Sequence, residues 1–135
     1  MTLIKLPFAI HALIETAAAF SFILNPDKQL PGCNEAAKLI LRQYGGLLLS
    51  TNLVCLGILI EPGFTNRTRL FAAALGSYHI WPCYRAYARI RYNMDAPIKG
   101  KPPLGGPSFH LAVHLVCLML FSWTVASPEM LPEAI

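Results

Sequence analysis

The run from Leu6 to Leu24 (LPFAIHALIETAAAFSFIL) is long enough to cross a bilayer, yet it places a carboxylate, Glu15, at its centre. A lone ionised side chain in hydrocarbon costs at least about 2.5–3.5 kcal/mol on insertion scales, so such groups turn inward and pair. Glu15 is therefore expected either to keep its proton or to meet an imidazolium. His11, one helical turn earlier on the same face, is the nearest partner. Lys5, the apolar core and Ala17-x-Ala19 also resemble a secretory signal, but Glu15 interrupts that core and Phe20 to Leu24 continues it past the cleavage point, so the segment reads as a first helix.

The rest of the chain has the same character. Apolar types make up 55% of the 135 residues and charged types 13%, a membrane composition. Hydrophobic segments at Leu6 to Leu24, Leu39 to Ile60, Thr68 to Tyr87 and Pro107 to Ala126 each approach the ~20 residues a spanning helix needs. They predict an all-α fold, a four-transmembrane-helix antiparallel bundle forming a single membrane domain over residues 1–135. In the third segment the uninterrupted apolar part, Leu70 to Tyr84, has only fifteen residues before Arg85, which has to snorkel toward headgroups. A soluble bundle would need a polar face, and Leu39 to Ile60 offers only Arg42, Gln43, Ser50, Thr51 and Asn52.

The formal charge of +4 is unevenly placed. Lys28, Lys38 and Arg42 flank the first loop and Arg85, Arg89, Arg91, Lys99 and Lys101 the third, against Lys5, Arg67 and Arg69 on the other side. The positive-inside rule then puts loops one and three in the cytoplasm and both termini in a lumen, with the endoplasmic reticulum the expected membrane. The basic third loop suits anionic membrane lipids, and no nucleic-acid partner is expected. Cys33, Cys55, Cys83 and Cys117 form no C-x-x-C and read as small hydrophobes.

Boundary signals are ordinary. Asn25-Pro26-Asp27 ends the first helix, Asn34 is placed to cap the second, Glu61-Pro62-Gly63 ends that one, and Pro107-Ser108 opens the fourth. Gly45-Gly46 invites close approach of a neighbouring backbone, and Arg42, Gly45, Leu49 and Asn52 share a face. In the third helix Ala72, Gly76, His79 and Cys83 make a stripe of small residues around one imidazole, with a kink expected at Pro82. Asn66-Arg67-Thr68 matches a glycosylation acceptor but lies so near the bilayer that no modification is expected. The tail from Ser127 to Ile135 is given no role, and no internal repeat is evident in the residue types.

Counting from the lumenal helix ends puts Glu15, Asn52, His79 and His114 at similar depth, near the midplane. Two carboxyl or imidazole groups in unlike environments can serve as acid and base without a cofactor. The expected catalytic residues are thus Glu15 as acid, His79 or His114 as base, and His11 as partner to Glu15. Asn52 would orient the substrate, and Arg42, Tyr44, His110 and Tyr84 would form a second polar layer toward the cytoplasm. The leading function is a small integral membrane enzyme that isomerises or cyclises a lipophilic small molecule.

Other readings use the same residues. His79 and His114 can be axial ligands of haem b, the small stripe making room for a porphyrin. The polar groups can instead be helix-packing glue in a non-catalytic partner or scaffold of a biosynthetic enzyme or transporter, alone or as a homo-oligomer. A proton or ion pathway ranks below these, since four short helices need oligomerisation to make one. No phosphate-cradling glycine loop, nucleophile elbow or zinc signature occurs.

Arg42-Gln43-Tyr44-Gly45-Gly46 opening the second helix, with Tyr78-His79-Ile80-Trp81-Pro82-Cys83-Tyr84-Arg85 closing the third, resembles the pattern of small DoxX-like four-helix membrane proteins. Uncharacterised fungal members of similar appearance sit among biosynthetic enzymes, so the resemblance implies the four-helix layout and chemistry of the secondary-metabolite kind. This chain differs in its long Pro/Gly-rich third loop and in His110-x-x-x-His114.

Overall fold

The computed structural model describes residues 3–92 and 105–128. Lys99 and Lys101 of the third loop, and the tail from Glu129 onward, lie outside the described residues. Everything described is helix, turn or connection, with no strand element among the described residues. A 3₁₀ turn (Leu3–Lys5) leads into α1 (Leu6–Leu24), followed by the single turn α2 (Pro26–Gln29), then α3 (Glu35–Ile60), α4 (Asn66–Tyr78), α5 (Ile80–Arg91) and α6 (Gly106–Ala126). Three helical stretches, Leu3–Leu24, Glu35–Ile60 and Gly106–Ala126, are long and apolar enough to cross a membrane.

The chain divides into two compact units, Met1–Pro62 and Gly63–Ile135. In the first, α1 ends where Asn25-Pro26 stops it, and the Asn34 side chain accepts from Ala37 N at 2.9 Å to start α3, four residues before the apolar run begins. Lys38 joins Asp27 and Glu35 across the connection, both at 2.9 Å. Three contacts then fix α3 antiparallel to α1. Lys5 Nζ donates to Ile58 O at 2.9 Å and to Glu61 O, Asn52 Nδ2 donates to Thr16 Oγ1 at 2.8 Å, and Arg42 Nε reaches Ile23 O at 3.4 Å. The buried face of α3 carries Gly45, Leu48, Asn52, Cys55 and Ile58.

The second unit corrects one expectation. The third apolar segment is two helices, and the break falls at His79 rather than at Pro82. Pro82 has no N–H to offer the Tyr78 carbonyl, and its ring crowds that carbonyl, so the proline acts one turn upstream. His79 N turns back to Gly76 O at 3.0 Å, and the next helix restarts with Cys83 N to His79 O at 3.2 Å. With 13 and 12 residues, α4 and α5 are each too short to span alone. Thr65 and Thr68 form a reciprocal capping box at the start of α4. The Thr68 hydroxyl of the glycosylation motif is thereby buried, while Asn66 Oδ1 accepts from Arg69. Arg69 also donates to Ser127 O at 2.9 Å, Gly76 sits against Phe121, and His79 meets His114, which together run α6 antiparallel to α4.

The two units repeat one plan that residue types conceal. At a constant interval along the chain, Ile4, Lys5, Phe8, His11, Glu15 and Phe22 correspond to Thr68, Arg69, Ala72, Leu75, His79 and Ala86. All except Arg69 are buried. In each unit a cation at the entry of the first helix donates to the last carbonyls of the second, where the helix dipole favours positive charge. In each, a polar pair bridges the two helices partway along.

Of the two adjacent glycines, only Gly45 is needed for packing. A Cβ there would lie 2.8 Å from Ala19 O and 2.7 Å from Ile23 Cγ1, whereas one on Gly46 meets nothing within 4 Å. Gly45→Val is expected to lower unfolding stability in detergent by about 1–3 kcal/mol through overpacking. Gly46→Ala is expected to raise it by up to about 1 kcal/mol through helix propensity. Denaturant titration of the two variants followed by circular dichroism checks both signs.

Candidate functional site

The polar groups on these apolar helices fall into two sets. In the second unit His79 is fully buried and His114 nearly so, and their Nδ1 atoms lie 2.9 Å apart. The helix break places His79 between α4 and α5, with its ring stacked on Phe121 (centroids 5.8 Å, 24° between planes) and edge-on to Tyr78. His114 faces it from the middle of α6, ring centroids 5.2 Å apart. His110, one turn before His114 and half-buried, has its ring 6.5 Å from that of His114.

An Nδ1-to-Nδ1 contact of this length constrains protonation. One nitrogen must carry the hydrogen and the other must be bare. When both rings are neutral, the ring with Nδ1–H has a bare, basic Nε2, and the other has Nε2–H and is an acid there. Two rings of the same type thus become unlike. His79 and His114 are also the two residues that would hold a haem iron in the alternative reading, and in this structure their Nδ1 atoms meet each other directly.

In the first unit His11 and Glu15 are both buried at 1% exposure and lie one turn apart on α1. Asn52 is bound to Thr16, the residue next to Glu15, which sets Asn52 and Glu15 at the same level. Thr16 Oγ1 in turn donates to Ala12 O at 2.7 Å. Asn52 therefore uses its amide nitrogen within the hairpin, while its Oδ1 is buried and makes no hydrogen bond among the described residues.

The residues expected in the second polar layer each have a setting within their own unit. Arg42 is exposed and occupied with the last turn of α1, where it serves the helix end. Tyr44 packs edge-on against Phe22, ring centroids 5.0 Å apart. Tyr84 is 65% exposed and points away from its own hairpin's core. All four cysteines are free thiols. From sequence, no site role falls to Thr16, Lys5 or Arg69, with Lys5 and Arg69 named only as flanking charges. The usable signal was spacing, since Lys5 precedes Glu15 by the same interval as Arg69 precedes His79.

Comparison with protein-family models, with curated proteins and with solved structures gives no match. The functional reading rests on the geometry of this chain.

If the imidazole pair is a true hydrogen bond, substitutions at its two ends are non-additive. His79→Phe and His114→Phe are each expected to destabilise by leaving a buried ring nitrogen unpaired. The double variant should fall short of their sum by about 0.5–3 kcal/mol, measured as a double-mutant cycle in detergent.

Proposed function

We propose that this protein is an integral membrane enzyme that shifts protons within a lipophilic substrate, isomerising or cyclising it without a cofactor. The observation that carries the reading is the buried Nδ1-to-Nδ1 hydrogen bond between His79 and His114. The basic Nε2 of one ring takes a proton from the substrate. The shared proton crosses from one Nδ1 to the other, and the second ring releases its Nε2 proton back to the substrate. One proton leaves the substrate and one returns, so no net charge is created in a medium where charge is costly.

The first hairpin supplies further groups of the same kind. Glu15 and His11 offer a carboxyl and an imidazole one turn apart, and Asn52 Oδ1 is a buried acceptor suited to a substrate hydroxyl. The three long apolar helices, together with the α4–α5 segment, support a four-crossing layout. Charge asymmetry supports cytoplasmic first and third loops. The DoxX-like pattern agrees with that layout and speaks to fold more than to activity. The directly bonded rings favour a shared proton over a shared haem iron.

A second reading, a non-catalytic membrane partner, is favoured by the same pairs, since Asn52–Thr16 and His79–His114 each tie one helix to the next as polar glue does. Substitutions that keep hydrogen bonding and abolish proton transfer separate the two. Cells making the wild-type protein are expected to accumulate a lipophilic product with the mass of its precursor and a different retention time. His79→Gln and His114→Gln should each lower that product about a hundredfold or more, as removal of a positioned acid or base does. Undiminished product from both variants would leave only the partner reading.

A further inference from the structure

We infer that His110 is the residue through which the buried His79–His114 pair exchanges protons with water at the membrane surface, an inference that rests on the acid–base reading of that pair. Passing a proton through two imidazoles has a consequence for the next cycle. After one transfer, the ring that was the base carries Nε2–H and a bare Nδ1, and the ring that was the acid carries Nδ1–H and a bare Nε2. The tautomers have exchanged places. Continued turnover in the same sense requires a proton to be delivered to the ring that gave one and removed from the ring that took one. The reset forms an N–H bond at the Nε2 of the ring that gave a proton, breaks the one at the Nε2 of the ring that took one, and returns the shared proton across Nδ1, with water losing at one end the proton it gains at the other.

The fold provides a group for the His114 end. His110 lies four residues before His114 on α6, so the two rings share a helix face, with centroids 6.5 Å apart. That separation is bridged by one water molecule or by a rotamer change at His110. His110 is half-buried and stands in the second turn from the start of α6 at Gly106, whereas His114 and His79 are buried. The three imidazoles therefore form a file of increasing burial, with ring spacings of 6.5 and 5.2 Å. Of the three, His110 is outermost, and an imidazole is the side chain best suited to gain and lose a proton near neutrality. His110 is a positioning and relay residue for the pair, distinct from the rings that meet the substrate.

The test needs no substrate. With ¹⁵N-histidine-labelled full-length protein in lipid nanodiscs, coupling between the two Nδ1 nuclei across the hydrogen bond reports the pair, and saturation transfer from water reports exchange of the shared proton. Wild type should show both. In His110→Gln, which keeps a polar side chain without a titratable ring, the coupling should persist while exchange slows about a hundredfold, the low end for a positioned proton-transfer group. In His110→Ala, added free imidazole should restore the exchange. Wild-type exchange in His110→Gln with the coupling intact overturns the role of His110 and leaves the acid–base pair standing. Absence of the coupling in wild type overturns the pair and with it this inference.

Discussion

Hydrocarbon offers no hydrogen bonds, so each polar atom placed on an apolar helix is answered by another part of the chain or exacts its desolvation cost. That constraint organises both hairpins. At the open end, Lys5 and Arg69 satisfy helix-terminal carbonyls that would otherwise face lipid, and both sit where the dipole of the second helix favours a cation. Partway along, Asn52 meets Thr16 and His79 meets His114. The helices approach closely on glycine, Gly45 against Ala19 and Ile23 beyond the Asn52–Thr16 bridge, and Gly76 against Phe121 between the Arg69 clamp and the imidazole pair. Association without a hydrophobic driving force relies on this kind of close packing.

The repeat of one plan separates what holds the hairpins together from what distinguishes them. The end clamps are chemically alike, an ammonium in one and a guanidinium in the other. The central positions are unlike, a carboxyl at Glu15 and an imidazole at His79. The bridge next to Glu15 is an amide on a hydroxyl, which holds its hydrogens in place, while the bridge at His79 is two rings that trade a proton without changing partners. The break before α5 belongs to this difference. A continuous helix would bury the His79 backbone in the regular ladder, whereas Pro82 interrupts that ladder and leaves the imidazole at a junction, stacked on Phe121.

Much of the architecture is legible in the residues because apolar length and punctuation are local signals. The ends of α1, the Asn34 cap and the stop at Glu61 follow from proline, asparagine and glycine acting on their neighbours. The shared depth of His79 and His114 follows from counting along two helices. The site of the break does not, because the proline takes effect one turn before itself. Nor does the difference between Gly45 and Gly46, which depends on the face α1 presents. The repeat is hidden because corresponding positions conserve burial and differ in type, as Phe8 and Ala72 or His11 and Leu75 do. The local partners of Arg42 and Tyr44, Ile23 O and Phe22, are set by how α1 and α3 pack and are not written in the residue types.

Two neutral imidazoles joined through Nδ1 hold an acid and a base together without net charge, in a medium that penalises ions. A carboxylate with an imidazolium supplies acid and base at the cost of two charges, and a single imidazole becomes a cation once it has taken a proton. A joined pair can accept at one end and donate at the other while remaining neutral, with the shared proton moving within a hydrogen bond that already exists. What it demands is a fixed distance between two backbones. The Arg69 clamp at one end of the second hairpin and the Gly76–Phe121 contact beside the rings impose that distance, so the packing of the hairpin and the chemistry of its pair are set by the same few residues.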